Sequence, residues 1–361
     1  MKLTFVTSTL HAGGSERVMS LLANTFQKRG YEVEIICINK HLVFYPINDG
    51  VKVWFAEDEV RSTSILKKMV WLRKHVKSEQ PDVVIAFMLE VFCVTLASLM
   101  GLNIPVISSE RIDPHFFGKA KGFLRWVLLR RTAHLVVQTQ RIKEFYSPQL
   151  QARTTIIKNP VTEKVFELPL VKKENHIIAV GRLAYQKNYP MMFRAFAQVH
   201  QCYPNYKLFV YGDGPQKDEI HAVIRQLGME DSIILAGKSD HIVDEMNRSR
   251  LFVMSSDYEG MSNALLEAVC VGLPALSTDV SGAKDLIEDG KNGYVVPVGD
   301  EAAFASALKK ILSSEEKMEE MGRNSKAMAP NFKEEKIVEQ WEKVIKEVVK
   351  QEILEKLGLL Q

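Results

Sequence analysis

What most constrains this chain is a rhythm. Short runs rich in valine and isoleucine alternate with longer amphipathic stretches, and the alternation stops once and starts again. Leu3 to Ser8, Glu32 to Ile38, Val83 to Phe87, Val106 to Ser109 and Leu135 to Gln138 read as strands, with helical patterns between most of them. Strands separated by helix-length crossovers return to the same end of a sheet and pair in parallel. After Thr155-Ile156-Ile157-Lys158-Asn159-Pro160, the charged, proline-containing stretch Glu163 to Glu174 reads as a linker. Ile177 to Val180, Leu208 to Tyr211, Ile233 to Leu235, Leu251 to Met254 and Ala275 to Ser277 then restart the pattern. The expectation is α/β with two parallel-sheet domains, over 1–162 and 175–330, since 361 residues exceed one ordinary core. The tail over 332–357 is a mixed-charge amphipathic pattern carrying Trp341, expected to pack back on one domain, the first by preference.

Composition narrows the function classes. A formal net charge of +3 is too small to announce a nucleic-acid partner, so basic character that matters must be local. Cys37, Cys93, Cys202 and Cys270 are scattered without a paired spacing, which argues against a disulfide framework or zinc site and for reduced core residues. Met1 to Val6 runs straight into an apolar strand without a secretory pattern, so a cytoplasmic location is expected. The apolar stretch Val83 to Ile107 is read as strand, buried helix and strand rather than a membrane span. It contains Glu90, which would cost about 2.5–3.5 kcal/mol at mid-bilayer, and Gly101 breaks it before Pro105.

In open α/β sheets, ligands bind beyond the carboxyl ends of strands, and three clusters fall there. The first, Leu10-His11-Ala12-Gly13-Gly14-Ser15-Glu16-Arg17, opens a helix whose free N–H groups suit a phosphate; the plainer reading is a tight turn with Ser15 as N-cap. It is not G-x-G-x-x-G, so a dinucleotide fingerprint is absent. The second, Val180 to Asn188, carries Arg182 and Lys187, either a diphosphate clamp or two solvated cations. The third runs from Ser256 to Glu267. Glu259 precedes a helix start, Gly260, Met261, Ser262 and Asn263 open it toward a phosphate, and Glu267 lies further inside. One carboxylate suits sugar hydroxyls and the other a ribose diol; the plainer reading is a dipole contact and a solvent-facing residue.

Taken in order, Gly-Gly-Ser-Glu-Arg, Gly-Arg-Leu with Gln-Lys-Asn, Tyr-Gly-Asp-Gly-Pro at 211 to 215, and Glu-Gly-Met-Ser-Asn with a second Glu eight residues on resemble the family 4 glycosyltransferases along essentially the whole chain. The chain is similar to bacterial members that build lipid-linked oligosaccharides, capsule or O-antigen repeats. The resemblance implies the GT-B fold, two Rossmann-like domains facing a central cleft. It also implies a retaining hexosyltransferase that moves a hexose or N-acetylhexosamine from a nucleotide-diphosphate sugar, UDP-linked by preference, to a lipid-linked saccharide in cell-surface glycan synthesis. Gly13 and Gly14 then match the glycines that approach donor diphosphate and acceptor, Arg182 and Lys187 the cations that neutralise the diphosphate, Glu259 the carboxylate on the donor sugar and Glu267 the one on the ribose. The leaving phosphate helps deprotonate the acceptor on the same face, without a protein nucleophile, cofactor or metal ion.

Where many relatives place a histidine after strand Val106 to Ser109, this chain reads Ser108-Ser109-Glu110-Arg111-Ile112-Asp113-Pro114. Arg111 reads equally as a donor contact or as a structural ion pair with Glu110 or Asp113; His11 and His115 are nearby candidates. Two basic amphipathic stretches, Ser64 to Lys77 and Lys119 to Arg131, suit an anionic membrane surface or simply a helix with one solvated face. Glu90, Lys119, Lys121 and Arg125 are the acceptor or membrane candidates, and the expected place is peripheral, on the inner face of the plasma membrane. Two rival readings remain: a nucleotide-sugar epimerase of the same architecture, and a non-catalytic nucleotide-sugar or glycan-binding protein.

Overall fold

Two parallel sheets organise the chain. The computed structural model describes residues 1–359 except Ala12, His41, Phe117 and Gly118, and not the side chains of Lys119, Ala120 and Lys121. The first sheet is built from Lys2–Thr7 (β1), Glu32–Cys37 (β2), Val51–Phe55 (β3), Val83–Phe87 (β4), Val106–Ser109 (β5), His134–Val137 (β6) and Thr154–Ile156 (β7). The second uses His176–Val180 (β8), Lys207–Tyr211 (β9), Ile233–Gly237 (β10), Leu251–Met254 (β11), Ala275–Thr278 (β12) and Gly293–Val296 (β13). The strand orders are β3-β2-β1-β4-β5-β6-β7 and β10-β9-β8-β11-β12-β13. In each sheet the first strand is central and the order reverses between it and the fourth, with Leu3 beside Val83 and Leu251 beside Ile177. Open α/β sheets bind ligands beyond the carboxyl ends of the strands at such a switch point.

Burial explains why these segments are strands. In β1, β2 and β4 nearly every residue is buried, as expected for strands covered by helices on both faces. The strands not anticipated from sequence, β3, β7 and β13, lie at sheet edges, where half-exposed positions dilute the apolar run.

Contacts divide the chain into two units, Met1–Lys158 with Glu335–Gln361, and Asn159–Glu334. The terminal helix Glu334–Lys356 buries Ile337, Val338, Trp341, Val344, Ile345 and Val348 in the core of the first unit. These positions recur at helical spacing, giving one apolar stripe. Trp341 stacks on Phe87 of β4 at 5.6 Å, and Glu342 accepts from Tyr31 Oη at 2.6 Å. The stretch 163–174 is not a free linker throughout. Val161 N–H donates to the Phe332 carbonyl at 2.9 Å, and Val161 and Val165 are buried in the core of the second unit, so the division comes earlier, after Lys158.

Candidate active site

In the second unit, the loops after β8 and β11 leave adjacent central strands and are stitched together. Asp257 N–H donates to the Gln186 carbonyl at 2.8 Å, and Gln186 Nε2 donates to the Tyr258 carbonyl at 2.7 Å. Asn188 Nδ2 donates to Asp257 Oδ1 at 2.8 Å, while the buried Ser255 hydroxyl lies 2.7 and 3.0 Å from the Lys187 and Asn188 carbonyls. Asn188 itself is left-handed, with φ 45° and ψ 45°, a conformation asparagine tolerates better than most residues. It occupies the N-cap position of helix Tyr189–His200. This scaffold brings Lys187 Nζ to 2.5 Å from Glu259 Oε1, an oxygen that also accepts from Ser256 Oγ at 2.8 Å. Arg182 is exposed on the same loop as Lys187.

The Tyr-Gly-Asp-Gly-Pro loop holds the Gly181–Leu183 turn from the other side. Leu183 N–H donates to the Asp213 carbonyl, and a Cβ on Gly212 would sit 1.9 Å from the Gly181 carbonyl oxygen, so no side chain fits there. Beyond Glu259, the residues Gly260, Met261 and Ser262 are buried, and Ser262 caps helix Asn263–Val271 by accepting from Leu265 N–H. Asn263 Oδ1 accepts from Asn159 Nδ2 at 2.6 Å. Glu267 is buried in that helix, which corrects the solvent-facing alternative.

In the first unit, Gly13 rather than Ser15 is the N-cap of helix Gly14–Lys28, and Ser15 instead donates to Glu16 Oε2 at 2.7 Å. A Cβ on Gly13 would meet the Glu16 carboxylate at 2.2 Å. Across the switch point, Met88 follows β4 with φ 76° and ψ 147°, a region costing roughly 1–3 kcal/mol for a non-glycine residue, and strain of this kind clusters at functional sites. Glu90 is exposed in the first turn of helix Leu89–Ser98. Arg111, just past β5, is buried with its guanidinium 4.2 Å from the Phe87 ring and 5.6 Å from Trp341. Desolvation pushes it down to about 9, so it remains a cation near neutral pH. Asp113 faces His115 at 2.7 Å and Arg141 at 3.3 Å.

Two cations of the basic stretches, one of them the candidate Arg125, are not surface groups. Arg125 is 2% exposed, 3.7 Å from Glu110 Oε2 and 4.6 Å from the Phe145 ring centre, because it shares one helix face with buried Leu128 and Leu129. It therefore leaves the set of membrane candidates. Lys68 is likewise buried, bound to Asn39 Oδ1 at 2.7 Å and Glu57 Oε2 at 2.8 Å. The side chains of Lys119 and Lys121 lie outside the described residues. Among the cysteines, Cys37, Cys93 and Cys270 are buried, but Cys202 is exposed and not a core residue. Among the described residues no helix is long and apolar enough to cross a membrane.

The two units match two family models. "Glycosyltransferase Family 4" covers residues 12–164 and "Glycosyl transferases group 1" covers residues 160–328. The chain is 30% identical over 363 residues to the GalNAc-alpha-(1->4)-GalNAc-alpha-(1->3)-diNAcBac-PP-undecaprenol alpha-1,4-N-acetyl-D-galactosaminyltransferase of Campylobacter jejuni, covering 96% of this chain and 99% of that protein. It is 25% identical over 354 residues to the amylovoran biosynthesis glycosyltransferase AmsD of Erwinia amylovora, covering 95% and 99%. Among solved structures, the sucrose-phosphate synthase of Thermosynechococcus elongatus superposes with a TM-score of 0.82 at 15% identity, over 96% of this chain and 98% of that one. HepE of Anabaena in complex with UDP gives 0.78 at 18%, over 96% and 100%. A paired-sheet architecture shared with such distant sequences fixes the fold as GT-B. A relative matched almost end to end at 30% identity fixes the lineage more closely, and the chain belongs to the family 4 glycosyltransferases.

Proposed function

We propose that the protein is a retaining, metal-independent glycosyltransferase that moves a hexose or N-acetylhexosamine from a UDP-sugar to a lipid-linked saccharide in bacterial surface-glycan synthesis. The observation that carries the donor half is the meeting of Lys187 and Glu259 at the ends of the central strands β8 and β11, beside the start of helix Asn263–Val271. A cation, a carboxylate and a helix amino terminus on adjoining loops have the chemistry of a diphosphate bearing a hydroxylated sugar. Arg182 and Lys187 stabilise charge on the departing diphosphate, and its oxygen takes the acceptor proton on the same face of the sugar. With two cations on the diphosphate, a divalent metal is unnecessary. Glu259 accepts from sugar hydroxyls, Glu267 from the ribose, and Gly260–Asn263 offers backbone N–H groups to phosphate.

The acceptor half rests on the Campylobacter relative, whose name specifies an undecaprenol-diphosphate-linked saccharide. Gly13 and Gly14, at the carboxyl end of β1, are suited to approach by donor phosphate and acceptor. Peripheral attachment at the cytoplasmic face of the membrane brings such an acceptor within reach.

The test is incubation of the purified chain with labelled UDP-sugars, with and without an undecaprenyl-diphosphate-linked saccharide, in EDTA. Label passing to the lipid with the anomeric configuration kept is the expected result. Conversion of the sugar without acceptor would instead indicate an epimerase, and loss of transfer in EDTA that magnesium restores would overturn metal independence.

A further inference from the structure

Lys187 and Glu259, read above as partners of the donor, are engaged with each other. Their charged atoms lie 2.5 Å apart, and their side chains are only 15% and 11% exposed. The contact is held from several sides. Backbone and side-chain bonds lock the two loops together, Ser256 Oγ adds a second donor to the same Oε1, and a Cβ on Gly181 would sit 2.9 Å from Lys187 Cε, so the lysine stem runs closely along that glycine. With the backbones fixed, the partners can change only through their side chains.

A diphosphate reaching Lys187 must therefore displace the Glu259 carboxylate or share the ammonium with it. An ammonium has three donors, so sharing is possible, but it places two anions within a few ångströms in a poorly hydrated corner. Displacement leaves the carboxylate short of a charged donor where unmade hydrogen bonds are costly. Either route is unfavourable for a bare nucleoside diphosphate. A sugar attached to the same diphosphate changes this, because its hydroxyls donate to the carboxylate that Lys187 has left.

We propose that Glu259 is a specificity-determining stand-in for the donor, an internal anion that makes capture of the diphosphate by Lys187 depend on an attached sugar and so keeps the spent nucleotide weakly bound. This rests on the donor site of the proposed function. Four proteins test it: wild type, Glu259→Gln, Lys187→Gln and the double variant, with circular dichroism and melting curves showing that each is folded. UDP and GDP, without sugar, are titrated into each by calorimetry. Glu259→Gln should bind the nucleoside diphosphate about tenfold tighter than wild type while transferring sugar more slowly, and the gain should disappear when Lys187→Gln is also present. Unchanged or weaker binding by Glu259→Gln overturns the proposal. An equal gain in the Lys187→Gln background also overturns it, since that is simple repulsion rather than competition for the lysine. Absence of binding by all four proteins would remove the donor site itself, an outcome distinct from binding that ignores residue 259.

Discussion

Lys187 reaches the bottom of its loop beside Gly181, where any larger residue would press on its stem, and Arg182 projects from the turn that the Gly212 loop supports. Cations aimed at a departing diphosphate stabilise the charge that develops on it, the contribution on which electrostatic catalysis rests. Lys187→Ala and Arg182→Ala should each lower kcat by about 10²-fold, the scale seen when one preorganised donor is removed, with circular dichroism unchanged. Near-normal turnover in a folded variant would take that residue out of the clamp. Glu110 poses a different residue-scale question. Burial pushes its carboxyl from 4.5 up to about 7, although nearby Arg125 and the Tyr146 hydroxyl pull it down. The folded chain thus holds a proton that the unfolded chain releases near 4.5. Stability from this group is complete below about 4.5 and is lost as pH rises through about 7. In Glu110→Gln, the fall in melting temperature between about pH 5 and about pH 8 should be shallower than in wild type. An equally steep fall would assign that pH dependence to other groups. The residues proposed for the clamp are local signals in the sequence, each a cation or carboxylate just past a strand. Arg125, a membrane candidate by its charge, and Lys68, in the other basic stretch, are both buried, because position on the helix decides burial before charge does. Lys68, Leu72 and Val76 recur four apart and share the buried stripe of one helix, so spacing alone would have placed the lysine inside.

Among the elements, the strands easiest to see in the sequence are the central ones, and these also carry the candidate site. Strands β4 and β11 are unbroken apolar runs, and β1 and β8 are buried at most positions, because helices cover both faces, while edge strands β3, β7 and β13 mix buried with half-buried residues. Pairing order was not legible, since the strand pattern is the same whichever neighbours are chosen, and so the facing of the β8 and β11 loops had to come from the fold. The terminal helix is the element whose packing has the sharpest consequence. Trp341 is fully buried against Phe87, the strand residue that Arg111 also overlies. Trp341→Ala should lower the stability of the first unit by about 3–5 kcal/mol, as for other buried aromatic truncations, and loosen the support beneath Arg111. Denaturant unfolding checks it: a loss below 1 kcal/mol would mean that the helix contributes little to this core.

At the scale of the whole molecule, the structure shifts the membrane argument from charge toward apolar surface. With Arg125 and Lys68 buried, helices Ile65–Glu79 and Lys119–Leu129 carry fewer outward cations than their sequences suggest, yet both leave large apolar side chains in solvent. Ile65, Leu66 and Val70 are exposed on one; Phe123, Leu124, Trp126 and Val127 are exposed on the other, with Phe123 at 67% and Trp126 at 52%. Both helices pack against helix Leu89–Ser98, so the two sets flank one element of the first unit. Arg130 lies 3.8 Å over the Trp126 ring, a cation held beside an apolar anchor. Exposed apolar groups beside cations suit the boundary between lipid headgroups and acyl chains, where rings and methyls are buried and guanidinium groups meet phosphate. Binding to vesicles containing anionic lipid should therefore weaken as salt rises but persist, because the apolar contribution is not screened. The double change Phe123→Ser with Trp126→Ser should reduce sedimentation with such vesicles more than Leu170→Ser with Val298→Ser, a pair also exposed to solvent but carried by the second unit. Equal losses from the two pairs would mean that no particular surface of the chain faces the lipid, and no sedimentation at any salt would leave both helices as packing elements alone.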